Sequence, residues 1–154
     1  MSLSVVIPVF NEEKSIESTI LKLHSVLKNI DYELIVVNDC SIDMTKEVLK
    51  GIANIKVLEH SKNKGYGASI KNGIKNSNYD LIAITDADGT YPNQKLIEFY
   101  QIIKNDKLDM VVGSRTGSNV NIPIIRKPAK WFIGKLANYI VDKKIPDINS
   151  GLRI

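Results

Sequence analysis

The sequence predicts an α/β domain in which helices cover a mostly parallel sheet on both faces, giving three α/β/α layers. Two observations lead to this prediction. Short β-branched runs alternate with longer segments of helical periodicity, and such alternation is typical of parallel strands joined by crossover helices. The predicted strands are also almost wholly apolar, as burial on both faces of a sheet requires.

The first part of the chain alternates three strands with two helices. Residues 3–8 are predicted as a strand because the run is apolar and rich in β-branched side chains. Residues 12–28 follow as a helix, since apolar residues recur there at every third or fourth position. Residues 32–38 and 55–59 are two further apolar strands, and the short segment at residues 43–50 is predicted as a helix.

The second part continues the alternation. A glycine-rich turn leads into a helix at residues 66–76, and residues 81–85 are a very apolar fourth strand. Residues 93–104 place apolar side chains on one helical face, and residues 109–112 are the predicted fifth strand. After a loop rich in Gly, Ser, Asn and Pro, a proline opens the last predicted helix at residues 129–142.

Length and composition predict a single globular domain over residues 1–154. Apolar residues make up 44% of the chain and charged residues 25%, as in an ordinary soluble protein. No apolar stretch reaches the roughly 18 residues that cross a bilayer. No signal-peptide pattern is present, and the one cysteine excludes a disulfide framework. We therefore expect a cytoplasmic protein, and we expect the natural chain to continue beyond Ile154.

The net charge of +4 is concentrated in the last quarter of the chain. Residues 115–154 contain eight Lys/Arg and two Asp/Glu, a net of +6, so the other 114 residues carry 13 Lys/Arg and 15 Asp/Glu, a net of −2. This asymmetry favours a partner with phosphate groups, either a ligand or a membrane surface, and solvated surface lysines are an equally good explanation. The last predicted helix, with Trp131 and several lysines, either rests on an anionic membrane or packs on the sheet. We expect no nucleic-acid partner.

Polar residues follow each predicted strand, and parallel strands bring these ends to one edge of the sheet. Asp86 and Asp88 follow the fourth strand directly. Two carboxylates at the end of a buried strand repel each other and lose solvation, and a divalent cation relieves both problems. Mg²⁺ takes one or two carboxylates together with substrate phosphates and waters, and it can stabilise a diphosphate as a leaving group. A polar β-turn at Asp88 is the alternative.

The glycine-rich turn at residues 63–68 suits phosphate, through exposed amides and the start of a helix. It lacks the third glycine of a dinucleotide-binding motif, because Ile70 stands there, and it follows the third strand rather than the first. A nicotinamide-dependent oxidoreductase is therefore disfavoured. A phospho-acceptor signalling domain is disfavoured as well, because the first strand lacks a following acidic pair and the last lacks a following lysine.

Six segments, taken in order, resemble those of the family-2 glycosyltransferases, which have the Rossmann-like GT-A fold. The resemblance covers nearly the whole chain and is closest to the branch of dolichol-phosphate mannosyltransferase and the bacterial polyprenyl-phosphate sugar transferases. The segments are VIPVFNE at residues 6–12, VNDCSID at 37–43, NKGYGA at 63–68, DADGTYP at 86–92, VGSR at 112–115 and DINSGLR at 147–153.

The resemblance implies a role for each matching residue. It assigns the nucleoside and nucleotide site to Pro8, Phe10, Glu12, Asp39 and Asp86; the Mg²⁺ or Mn²⁺ site to Asp86, Asp88 and Thr90; and the catalytic region to Asp88, Arg115 and Arg126. The chemistry of the glycine-rich turn adds Lys64 and Gly65 to the nucleotide site, and Asp147 joins the catalytic candidates as the base that a sugar-hydroxyl acceptor would need. Relatives often carry Gln at the position of Thr90 and Gly at that of Cys40. The shorter Thr90 weakens the expectation of a third metal ligand, and Cys40 is predicted to serve packing.

The implied reaction transfers a hexose from a nucleotide sugar, with GDP-mannose and UDP-glucose the leading donors, and inverts the anomeric centre. With a polyprenyl or dolichyl phosphate as acceptor, the attacking oxygen is already anionic and no base is needed. With a sugar hydroxyl as acceptor, a carboxylate base is required, and Asp147 is the candidate. The biological setting would be cell-envelope or glycoconjugate synthesis. A nucleotide-sugar-binding module without activity is the alternative of a different class.

Overall fold

The computed structural model describes residues 1–114 and 150–154. The chain divides into two compact units, residues 1–111 with 151–154 and residues 112–150. The second unit falls almost wholly outside the described residues, and with it the predicted helix at residues 129–142. The prediction of a single domain over residues 1–154 stays a prediction. The first unit carries the sheet.

Strands and helices alternate as the sequence pattern predicts. Three helices begin later than predicted, at Ile16, Thr45 and Lys95, because polar turns precede them. The carbonyl of Glu12 accepts the amides of Ser15 and Ile16, and the carboxylate of Asp43 accepts the amide of Thr45 at 3.0 Å. The elements are β1 (Leu3–Val9), α1 (Ile16–Leu27), β2 (Tyr32–Asn38), α2 (Thr45–Lys50), β3 (Lys56–Glu59), α3 (Tyr66–Lys75), β4 (Leu81–Ile84) and α4 (Lys95–Asp106).

The four strands form one parallel sheet in the order β3-β2-β1-β4. The chain moves outward from β1 through β2 to β3 and then crosses to the other side of β1 to form β4. The strand order therefore reverses between β1 and β4. In open α/β sheets, ligands bind beyond the carboxyl ends of the strands at such a reversal.

Helices cover both faces of the sheet, as predicted. Alternate residues of β1, such as Val5 and Ile7, join α1 and α4 in the larger hydrophobic core. On the opposite face, Val6 belongs to a smaller core with residues of β2. Gly73 of α3 lies so close to that face that an added Cβ would be 2.3 Å from a methyl carbon of Val6. The edge strand β3 departs from the prediction of full burial, since it is largely exposed.

The predicted fifth strand at residues 109–112 is wrong. Val111 instead exchanges backbone hydrogen bonds with Ile154, at 2.8 and 3.0 Å, and Arg153 does so with Ile84, at 2.8 and 3.2 Å. These contacts are antiparallel at Ile84 and too few to make a strand. The returning segment 151–154 thus occupies the place beside β4 that a fifth strand would have taken. Within the described residues, no helix is both long and apolar enough to cross a membrane.

Candidate functional site

A cleft of about 280 Å³ opens beyond the carboxyl ends of β1 and β2, and β1 also borders the reversal in strand order. Its floor comes from the end of β1, and its sides come from the loop after β2 and the glycine-rich turn that begins α3. The lining residues are Pro8, Val9, Phe10, Asp39, Asn63, Gly65, Tyr66 and Ser69. Phe10 and Tyr66 are each about half exposed, at 45% and 48%.

Asp39 is the best-buried carboxylate of the cleft, with 3% of its surface exposed. Its Oδ1 accepts the amide of Lys64 at 2.8 Å, and its Oδ2 accepts the amide of Gly65 at 2.7 Å. Oδ1 also accepts Nδ1 of His60 at 2.6 Å. Burial alone would raise the pKa of Asp39, but these three hydrogen bonds outweigh it and hold the pKa below its usual range. Asp39 is therefore an ionised anchor for the turn.

His60 was not identified from the sequence, although it completes this anchor. Its ring is buried directly after β3, with Nδ1 on Asp39 and Nε2 at 3.0 Å from the side-chain nitrogen of Asn72. The side-chain oxygen of Asn72 accepts Asn76 at 3.1 Å, so the Asn72 nitrogen faces the ring. The ring therefore bridges Asp39 and Asn72. A lone histidine outside any motif gives no sequence signal for such a role.

The loops after β1 and β2 hold each other through backbone-to-side-chain hydrogen bonds. The amide of Asn11 donates to Oγ of Ser41 at 3.0 Å, and Oδ1 of Asn11 accepts the amide of Ile42 at 2.9 Å. Asn11 and Cys40 both have a left-handed backbone, with φ of 57° and 61°. That conformation favours glycine, which explains why glycine suits position 40 and why Cys40 is strained there.

Asp86 follows β4 and is linked to the cleft through Tyr66. The hydroxyl of Tyr66 donates to Oδ1 of Asp86 at 2.8 Å. Burial raises the pKa of Tyr66, and the hydrogen bond to Asp86 and its negative charge raise it further, so the hydroxyl keeps its proton. Gly151 lies against the same carboxylate, and its amide donates to the hydroxyl of Tyr91 at 2.8 Å. Tyr66 and Tyr91 lie in segments that carry the family resemblance, but the sequence predicted no role for their side chains.

Asp88 is exposed, and Thr90 orients it. Its Oδ1 accepts both the amide of Thr90 at 2.9 Å and the hydroxyl of Thr90 at 2.7 Å. The hydroxyl of Thr90 thus donates to a carboxylate. No cluster of three or more His, Cys, Asp or Glu side chains that could hold a metal occurs in the described part of the chain. Two carboxylates suit a cation that takes its other ligands from phosphate and water.

The predicted nucleotide site is only partly assembled around the cleft. Four predicted residues line it together, namely Pro8, Phe10, Asp39 and Gly65. Glu12 does not line it, and its Oε2 accepts the hydroxyl of Ser15 at 2.6 Å. Lys64 contributes its amide to Asp39, whereas the sequence suggested that amides of this turn would hold phosphate. Three predicted residues, Arg115, Arg126 and Asp147, lie outside the described residues.

Comparisons with known proteins identify the family of the chain. Residues 4–153 match the family described as glycosyl transferase family 2. A dolichol-phosphate mannosyltransferase from Pyrococcus furiosus is 32% identical over 133 residues, which cover 82% of this chain and 38% of that protein. A UDP-N-acetylglucosamine–dolichyl-phosphate N-acetylglucosaminyltransferase from Methanococcus voltae is 31% identical over 97% of this chain and 67% of its own length.

A solved structure shares the fold. The mannosyltransferase PcManGT from Pyrobaculum calidifontis, in complex with GDP-Man and Mn²⁺, matches with a TM-score of 0.64 and 20% identity. The match covers 73% of this chain and 35% of that one. The chain thus spans well under half the length of two of these three proteins.

Proposed function

The chain belongs to glycosyl transferase family 2 and has the GT-A fold, and from this premise we propose that it transfers a hexose from a nucleotide sugar to a polyprenyl or dolichyl phosphate, with inversion at the anomeric carbon. The observation that carries the proposal is the cleft beyond the carboxyl ends of β1 and β2, with Asp39 in its lining and Asp86 joined to it through Tyr66. This placement suits an elongated ligand with a nucleoside at one end and a diphosphate at the other.

The nucleoside end is assigned to the part of the cleft beside β1 and β2. Phe10 is 45% exposed and offers an aromatic face on which a base can stack. An ionised carboxylate has about four acceptor positions, so Asp39 retains acceptor capacity beyond its three internal hydrogen bonds. It can accept an N–H or O–H of the base or ribose. GDP-mannose and UDP-glucose are the proposed donors, and the GDP-Man bound to the Pyrobaculum relative supports the former.

The diphosphate end is assigned to Asp86 and Asp88, which fit Mg²⁺ or Mn²⁺. Both carry hard oxygen ligands at one loop, and in the described part of the chain no third His, Cys, Asp or Glu side chain completes a metal cluster with them. A cation held there would take further ligands from phosphate and water. Thr90 orients Asp88 rather than adding a strong ligand. Once bound, a divalent ion would neutralise charge that develops on the leaving diphosphate. The Mn²⁺ in the Pyrobaculum relative supports this assignment.

The acceptor is proposed from its chemistry and from the relatives. The relatives from Pyrococcus furiosus and Methanococcus voltae are both named for a dolichyl or dolichol phosphate. A phosphate oxygen of such an acceptor attacks the anomeric carbon while the bond from that carbon to the diphosphate breaks, and the diphosphate leaves with the electron pair. The nucleophile is already anionic, so the protein's task is positioning and charge stabilisation. We assign Arg115 and Arg126 to the donor diphosphate or the lipid phosphate.

Calorimetric titration of the chain with GDP and with UDP, each with Mn²⁺ and with chelator, tests the donor site. The expected result is tight binding of one nucleotide, strengthened by Mn²⁺ and lost in Asp88→Asn, with the exposed Asp80→Asn variant unchanged. Transfer from the matching nucleotide sugar to dolichyl phosphate then tests the acceptor. Absence of binding under every condition would refute the donor site.

Two results would replace the proposal. Donor binding without transfer to any acceptor identifies a nucleotide-sugar-binding module. Transfer to a sugar hydroxyl but not to dolichyl phosphate identifies the sugar-acceptor reaction, in which Asp147 would be the base.

A further inference from the structure

The carboxylate of Asp86 is enclosed by two groups that the proposed chemistry does not use directly. The hydroxyl of Tyr66 donates to Oδ1 at 2.8 Å. On the other side stands Gly151, where an added Cβ would lie 2.7 Å from Oδ2 and 3.0 Å from Oδ1. Non-bonded carbon and oxygen atoms do not approach so closely. Asp86 therefore keeps its observed position only while residue 151 has no side chain.

Gly151 is itself held in place. Its amide donates to the hydroxyl of Tyr91 at 2.8 Å. Two residues later, Arg153 exchanges backbone hydrogen bonds with Ile84, the last residue of β4. The strand that leads to Asp86 thus also anchors the segment that encloses it. The buried side chains of Leu152 and Ile154 fix this segment further.

We infer that Tyr66 and Gly151 are positioning residues that fix the Asp86 carboxylate for the nucleotide and its divalent cation. Tyr66 acts through its hydrogen bond, and Gly151 acts through the space that it leaves. The inference rests on the proposed function. In it, Tyr66 and Gly151 determine how strongly the divalent cation increases the affinity for the nucleotide. Groups that orient a metal-binding carboxylate typically change metal affinity or activity by about 10–100-fold when they are removed.

Two substitutions separate this role from a purely structural one. Tyr66→Phe removes only the hydroxyl. Gly151→Ala adds a methyl group whose nearest neighbours are the ends of the Asp86 and Tyr91 side chains. The backbone at Gly151 lies outside the left-handed region, so alanine fits the backbone and displaces the carboxylate instead.

Matched controls exist away from the cleft. Tyr79→Phe removes a hydroxyl that lies 3.4 Å from Asp31. Gly51→Ala places a methyl group in ordinary contact, 3.4 Å from the carbonyl of Val48.

The measurement is the affinity for GDP and UDP in Mn²⁺ and in chelator, together with urea unfolding of the same variants. The ratio of the two affinities reports the metal-dependent part of binding, which a merely structural change would not alter. We expect Tyr66→Phe and Gly151→Ala each to lower this ratio by about 10-fold while both controls keep the wild-type ratio.

Two outcomes would overturn the inference, and they are distinguishable. If the wild-type chain binds a nucleotide in a Mn²⁺-dependent way and both variants keep the wild-type affinity ratio, the positioning role alone is overturned. A wild-type chain that binds neither nucleotide overturns the proposed function and this inference with it.

Discussion

Replacing Asp39 with asparagine should weaken the fold as well as the site, because no orientation of the amide keeps all three hydrogen bonds that the carboxylate accepts. Oδ1 accepts His60 and the Lys64 amide, and Oδ2 accepts the Gly65 amide. Asparagine has one oxygen. If that oxygen replaces Oδ1, its NH₂ group faces the Gly65 amide. If it replaces Oδ2, the NH₂ group faces the Lys64 amide. In the first orientation the Gly65 amide keeps only its hydrogen bond to Oδ1 of Asn63 at 3.1 Å. In the second, the Lys64 amide loses the acceptor that Oδ1 provides.

The cost of this substitution follows from the burial of Asp39. A buried donor without an acceptor costs roughly 1–3 kcal/mol. The remaining hydrogen bonds also lose the charge that makes them about twice as strong as neutral ones. We therefore expect Asp39→Asn to lower the free energy of unfolding by about 2–4 kcal/mol. Against the roughly 5–15 kcal/mol that stabilises a typical domain, the variant should still fold.

Urea unfolding at several pH values measures this effect, with Asp80→Asn as the exposed control. The pKa of Asp39 is held below its usual range, so its contribution is fully present above the unfolded-chain pKa of about 4. It is lost as the pH falls through the lower folded-state pKa. The difference in the free energy of unfolding between wild type and Asp39→Asn should be constant near neutral pH and should shrink in strong acid. A difference below about 0.5 kcal/mol at pH 7, as for a surface substitution, would refute this role.

Three further predictions concern other positions. Gly73→Ala should lower the free energy of unfolding by about 1–3 kcal/mol in urea titrations, because its Cβ would lie 2.3 Å from a methyl carbon of β1. In the same helix, the Cβ added by Gly67→Ala would have no neighbour within 4 Å, so this variant should not lower the free energy of unfolding. Equal effects of the two variants would contradict the close packing of Gly73 on β1. Cys40→Val should destabilise by about 1–2 kcal/mol in thermal unfolding because φ is 61°, whereas Cys40→Gly should be near neutral. Thr90→Val should weaken Mn²⁺-dependent nucleotide binding several-fold in calorimetry, because valine lacks the hydroxyl that donates to Asp88. Thr90→Ser keeps that hydroxyl and should retain binding; equal binding by both variants would exclude the role of the hydroxyl.

Most of the first unit's architecture was predictable because its signals are local. The apolar run of β1 and the periodicity of α1 depend only on neighbouring residues, and both elements are confirmed. The failure at residues 109–112 has a different cause. Whether an apolar run becomes a strand depends on which segment takes the place beside β4, and here that segment is residues 151–154, about 40 residues later in the chain. Pattern within a short window carries no information on such a contact.

The candidate site divides in the same way. Topology alone places residues that directly follow strands at the carboxyl edge of the sheet, which is why Asp39 could be predicted as part of the cleft. The partners that fix the carboxylates could not be predicted. His60 stands 21 residues after Asp39 and belongs to no motif, and Gly151 stands 65 residues after Asp86. Their roles depend on distances that exist only once the sheet has formed.

The glycine-rich turn illustrates how a correct motif can have a different physical use. Its sequence suits phosphate, yet the amides of Lys64 and Gly65 donate to Asp39. The next residue, Tyr66, donates to Asp86. The turn therefore connects a carboxylate after β2 with a carboxylate after β4, and the positive φ of Gly65 lets the chain pass from one to the other. Because adjacent residues of one rigid turn hold both groups, the spacing between the two ends of the cleft depends on this turn as well as on the sheet.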